Sequence, residues 1–159
     1  MKSGQRGSTL VEFAFAGLLL FIALFAALEF ARWMYLWNSM TEATRRGARV
    51  AAVCPINDPA IARVTVFINP FSGTGTDSPL FPDLDVGNVA VEYLGQDGSV
   101  LGAPTYDNIK FVRVSIQNYS LTYNIPLIGA VSSPPFSTTL AAESLGRDSL
   151  DDINSRSCF

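Results

Sequence analysis

Histidine is missing from this chain altogether. Its absence excludes Ser-His-Asp and Cys-His nucleophile systems and most zinc sites, each of which needs an imidazole as base or ligand. Charge is scarce too: 16% of residues are charged, where about 25% is usual in a soluble domain. The eleven Lys and Arg are scattered and the formal net charge is −3, so the clustered basic surface that nucleic acid needs is lacking and no such partner is expected. The GTGT at 73–76 has neither the Gly-Lys-Ser/Thr of a phosphate-binding loop nor a full dinucleotide glycine pattern, and reads as a loop. Glu143, Asp148, Asp151 and Asp152 match no calcium-loop spacing and read as a solvated acidic tail. No metal or other cofactor is expected, and no carboxylate pair stands out as an acid and base, so a membrane-tethered enzyme is a weak alternative.

What the chain has in excess is apolar residues, 48% of the total, and they are concentrated at 13–28. That stretch, FAFAGLLLFIALFAAL, carries no charge and no proline. No small-residue cleavage site follows it, and the helical pattern runs on through EFARWMYLWNSM, so the segment is an anchor rather than a removable signal peptide. A helix starting near Leu10 and extending to the aromatic set Phe30, Trp33, Tyr35 and Trp37 covers a hydrocarbon core of about 30 Å with aromatics at one interface. Membrane lipid is therefore an expected partner. Glu12 is the anomaly, because a carboxylate inside an apolar span costs on the order of 2–3 kcal/mol and is usually kept for a function. The alternative places it at the headgroup boundary, favoured by the positive end of the helix dipole.

Beyond the anchor, Phe30, Trp33, Met34, Trp37, Met40, Ala43, Ala48 and Ala51 or Ala52 recur at helical spacing, which extends the helix to about Val53. Cys54 and Pro55 end it. Asn57 and Asp58 before Pro59 form a cap and a proline start for a short second helix with Ile61, Val64, Phe67 and Ile68 on one face; the β-branched residues there also allow a strand. A long loop follows at 70–87. Alternation at 88–94, then a turn at 95–98 before Val100 and Leu101, reads as a hairpin. A third strand, 109–119, has Val112, Val114 and Ile116 on one face and Ile109, Phe111 and Tyr119 on the other; the first face is the candidate to cover the helix. A final strand spans 136–145. The expected fold is α+β: a long N-terminal transmembrane and stalk helix with a small antiparallel sheet packed on its C-terminal half.

Two cysteines, Cys54 and Cys158, either form one disulfide closing a long loop, which persists only in an oxidising compartment, or remain two free thiols.

Gly7, Ser8, Thr9, Leu10, Val11, Glu12 and Phe13 resemble the G-x-x-x-x-E-[YF] processing motif of type IV prepilins. RGSTLVEFAF, the stretch ARWMYLWNSMTEATRRGARVAA and the segment PFSGTGT at 70–76 are more closely similar to the TadE-like minor pilins, or pseudopilins, of the tight-adherence (Flp) pilus system. The resemblance implies a pilin-like fold in which a prepilin peptidase cuts between Gly7 and Ser8. Residues 1–7 are then a leader, 8–37 the transmembrane part of the helix and 38–159 an extracytoplasmic domain. It also implies that Glu12 and Phe13 are the assembly contact, with Glu12 neutralising the N-terminal amine of a neighbouring subunit. The implied partners are the prepilin peptidase, other minor and major pilins, and the inner-membrane assembly platform, and the implied role is structural support of pilus assembly, adhesion and surface attachment.

The implied location is a single pass through the bacterial inner membrane, N-terminus cytoplasmic and domain periplasmic, with incorporation into an extracellular pilus as a further step. The arginine count runs the other way, since Arg32, Arg45, Arg46 and Arg49 follow the span and only Lys2, Arg6 and the α-amino group precede it. The motif and the cysteines are given precedence over that bias. An unprocessed single-span protein with a periplasmic ligand- or partner-binding domain is the alternative.

Overall fold

A computed structural model of the chain describes residues 6–71, 75–121, 131–147 and 158. Its first element, α1, is a 48-residue helix, Arg6–Val53, about 70 Å long at 1.5 Å per residue. It starts four residues before the expected Leu10, because nothing in the polar turn at 6–9 breaks a helix, and ends at Val53 as the periodicity predicts. The second helix, α2, Pro59–Thr65, begins as expected, with Asp58 as N-cap accepting from the Ala60 N–H at 2.8 Å and proline in the first turn. It stops short of Phe67 and Ile68. The Ile68 N–H reaches the Arg63 carbonyl at 2.9 Å and the Phe67 N–H reaches Val64 at 3.2 Å, a Schellman termination with Phe67 at φ 64 where glycine is usual.

Three strands, β1 (Val89–Leu94), β2 (Phe111–Ile116) and β5 (Phe136–Ala141), form an antiparallel sheet in the order β1-β2-β5. A separate two-residue ribbon pairs β3 (Ser120–Leu121) with β4 (Val131–Ser132). The expected hairpin reduces to one bridge, Leu94 to Val100; β1 pairs along its length with β2 instead, because that register sets Val89, Val91 and Tyr93 opposite Ile116, Val114 and Val112. The expected strands at 109–119 and 136–145 are trimmed to six residues each. Part of the expected loop is ordered by a 3-10 turn, Val86–Asn88, with an Asp85–Asn88 capping box.

One face of the sheet lies on the outer half of α1, giving the expected α+β layer. Val112, Val114 and Ile116 are fully buried there, each worth about 1.5–3 kcal/mol on removal from water. Ile109 and Tyr119, read as facing away, are buried as well, because both lie beyond the strand ends, where the chain turns back onto the core. The helix face matches the expected one from Met40 onward: Met40, Ala43, Ala48, Ala51 and Ala52 are covered, joined by Leu36, Thr44 and Gly47, while the expected Phe30, Met34 and Trp37 remain exposed. Two clusters fill the core. Leu36, Met40 and Ala43 meet Val66, Phe81, Leu84 and Ile116 at the end nearer the apolar segment, and Ala48 and Ala51 meet Ile61, Tyr93, Val112 and Val114 at the far end.

Between them sits Gly47. A methyl group there would overlap Thr65 Oγ1 and lie 3.0 Å from Val114 Cγ1, so α1, α2 and β2 approach closely only because position 47 has no side chain. Glycine inside a helix costs about 1 kcal/mol relative to alanine, and the close packing offsets it. Gly47→Ala is expected to lower unfolding stability by about 1–3 kcal/mol despite its better helix propensity. Adding Thr65→Ala should then destabilise less than the sum of the two single changes, as denaturant melts in detergent would read.

Candidate functional site

From residue 10 to residue 28, α1 presents apolar side chains on every side, and all its large hydrophobic residues there are at least half exposed. The 46-residue stretch Ser8–Val53 has a window of mean hydropathy 2.4 with none of it buried by the chain's own fold. It is long and apolar enough to cross a membrane, and its surface is left for lipid or other helices. Gly7 and Ser8 lie in the first turns of this helix. Glu12 and Phe13 follow within it, both exposed, Phe13 at 79%. Among the described residues no hydrogen bond or ion pair engages the Glu12 carboxylate, which shares a helix face with Ser8 one turn before it and with Ala16 one turn after.

The opposite end of α1 holds the second set of sequence-predicted residues, on the order of 70 Å away along the axis. Cys54 and Cys158 are disulfide-bonded, their Cα atoms 5.4 Å apart across a sequence separation of 104. The two sets are not brought together. Asp58 secures the bridge: one carboxylate oxygen caps α2, and the other accepts the Cys158 N–H at 3.0 Å. Tyr93 adds a further tie, its hydroxyl accepting the Asn57 N–H at 2.8 Å, and burial raises its pKa above the ordinary phenol value.

One feature of this end went unread in the sequence. The last carbonyls of α1 are closed from some 90 residues away: Glu143 donates to Ala52 at 3.0 Å, and Gly146 and Ser144 donate to Val53 at 2.6 and 3.2 Å. Gly146 makes this possible, because at φ 77 it runs so close to Pro55 that a side chain would overlap the proline ring. A Leu-Gly pair after a strand is the only trace of this clasp in the sequence. The rest of the acidic tail, with Asp148, Asp151 and Asp152, and part of the glycine-rich loop lie outside the described residues.

The sequence model for TadE-like proteins matches residues 7–49. Residues 7–49 are similar to that family, about a quarter of the chain. The match begins at Gly7 and takes in the apolar span, Glu12 and the arginines at 45, 46 and 49. The sheet and the clasp lie beyond the matched residues. No curated protein matches the chain, and no solved structure does.

The bridge closes a loop of about a hundred residues, for which loop-closure arguments give about 4–5 kcal/mol and measured disulfides, which deliver less, about 2–4 kcal/mol. Replacing both Cys54 and Cys158 by serine is expected to lower stability by that amount and leave the N-terminal half of α1 unaffected. Parallel denaturant titrations of oxidised protein and of the double variant would measure it, and equal midpoints would contradict it.

Proposed function

We propose that this chain is a non-catalytic pilin-like subunit of a Tad (Flp) pilus system, cut by a prepilin peptidase between Gly7 and Ser8 and assembled through the exposed half of α1. The observation that carries the reading is the combination on one helix: a TadE-like segment from residue 7, an apolar surface left uncovered from 10 to 28, and inside it the carboxylate of Glu12, without a partner among the described residues. A carboxylate in that setting costs on the order of 2–3 kcal/mol unless matched, and the α-amine that cleavage creates at Ser8 of a neighbouring subunit is a matching charge. For parallel helices, pairing Glu12 with a neighbour's Ser8 sets a stagger of about 6 Å, four residues of rise. Phe13 and the leucines that follow then pack against the next helix in place of lipid.

In this reading the domain stands on the periplasmic side and the leader on the cytoplasmic side of the inner membrane. The disulfide supports that orientation, since such bonds persist in oxidising compartments. Other pilins and the assembly platform are the partners, and attachment to surfaces is the outcome served.

Mass spectrometry of the purified chain, expressed with and without a prepilin peptidase, is the test. Loss of residues 1–7 only when the peptidase is present is the expected result, and a chain starting at Met1 in both cases would sink the proposal. Glu12→Ala is expected to be cleaved normally but to fall at least about tenfold in co-purification with partner pilins, the loss of a desolvated charge pair.

A further inference from the structure

The domain's lower rim meets α1 at residues 32–36, and a cleft of about 200 Å³ opens there, lined by Arg32, Tyr35, Leu80, Phe81 and Tyr119 among others. The loop that forms its outer wall is firmly held. Tyr119 donates its hydroxyl to the Pro82 carbonyl at 3.2 Å. The Phe81 ring lies 6.1 Å from Tyr35 and 5.8 Å from Phe67, and Ser78 Oγ accepts the Leu80 and Phe81 N–H groups. Phe81 is buried by this arrangement, yet Leu80 beside it is 59% exposed and Tyr35 63% exposed. A pinned loop thus holds a leucine out of the core, next to an exposed tyrosine.

The height of this pair along α1 identifies what covers it. Tyr35 follows Phe30 by five residues, about 7 Å of helix rise, and a headgroup layer extends about 5–7 Å past the hydrocarbon. Exposed large apolar residues recur from Leu28 and Phe30 to Met34 and Tyr35, with Arg32 among them. Among the described residues Arg32 is the one charged side chain lining the cleft; it pairs with Glu29 through one terminal nitrogen at 3.2 Å, and its fork has further N–H donors. The neighbouring groove higher on the helix is lined instead by the Glu42–Arg46 ion pair.

We propose that Leu80 and Tyr35 form a foot on which the domain rests in the headgroup layer of the leaflet α1 leaves, with a phospholipid in the cleft and its phosphate at Arg32. The proposal rests on the reading that α1 crosses a bilayer. The apolar wall of Leu80, Tyr35 and Phe81 meets the glycerol and first acyl carbons, and the guanidinium meets the phosphate. The domain is then attached to the membrane at two points, the helix and the loop at 78–82, which fixes its height and tilt. Leaving the membrane for a filament requires both to let go.

Depth-dependent quenching tests this on the full chain with its disulfide intact, in vesicles of phosphatidylcholine and phosphatidylglycerol carrying a nitroxide near the headgroup or near the bilayer centre. An NBD fluorophore is placed in turn at Leu80→Cys, Leu20→Cys and Ser99→Cys. The probe at 80 is expected to be quenched at least about twofold more by the shallow nitroxide than by the deep one, as for an interfacial residue. The probe at 20 should respond to the deep nitroxide and the probe at 99 to neither. If 80 behaves like 99 while 20 is quenched, the foot is overturned and the membrane span stands; if 20 is not quenched, both fall.

Discussion

Where α1, α2 and β2 converge, there is no space for even a methyl group, and Gly47 fills that place. The remaining contacts follow from this closeness. Because the helix axis lies so near the sheet, residues as small as Ala43, Ala48 and Ala51 are enough to exclude water between them and Val112, Val114 and Ile116. A stripe of larger side chains would hold the layers apart and leave the sheet face half covered. The two polar groups buried nearby are both satisfied: Thr44 Oγ1 bonds the Thr41 carbonyl and Thr138 Oγ1 at 2.9 Å each, and Thr65 donates to Ile61 at 2.7 Å. Close packing therefore leaves no orphaned donor there.

That packing gives one helix two unlike environments. Its outer half is the spine of a domain whose far end is closed by the clasp at 143–146 and the Cys54–Cys158 bridge. Among the described residues nothing buries the apolar window of its inner half. A helix held in the domain at one end projects the other as an apolar rod, which in the proposed function serves first as a membrane anchor and then as a strand of a helical filament. Glu12 is a liability in the first setting and a specific contact in the second, and that difference gives the rod a direction of travel in the proposed function.

The parts of this structure legible in the sequence are those set by local pattern. The uninterrupted apolar run, the proline start of α2 after Asp58, and the alternation of Val112, Val114 and Ile116 each report their own environment. The resemblance at 7–13 lies at the start of the segment that the TadE-like family model matches. Periodicity places the core stripe of α1 correctly from Met40 to Ala52 but not before it, where Trp33 and Trp37 flank the contact and Leu36 makes it; Gly47, with no side chain, carries no apolar signal. Phe67 was read into α2 because an aromatic at a positive φ is rare; here its ring packs between Phe81 and the Arg46 guanidinium, 5.4 Å from its centroid. The clasp and the β3–β4 ribbon were illegible because they depend on pairings between distant segments.

The central claim is that a single unbroken helix joins the apolar segment to the core of the domain. Amide hydrogen exchange of the chain in lipid nanodiscs tests it most directly, read residue by residue along α1. Continuous slow exchange from about residue 10 through Val53, including the junction between Phe30 and Leu36, is predicted, since every amide there is helix-bonded and shielded by lipid or by the domain. Fast exchange confined to that junction would show two helices joined by a hinge, and would contradict the account.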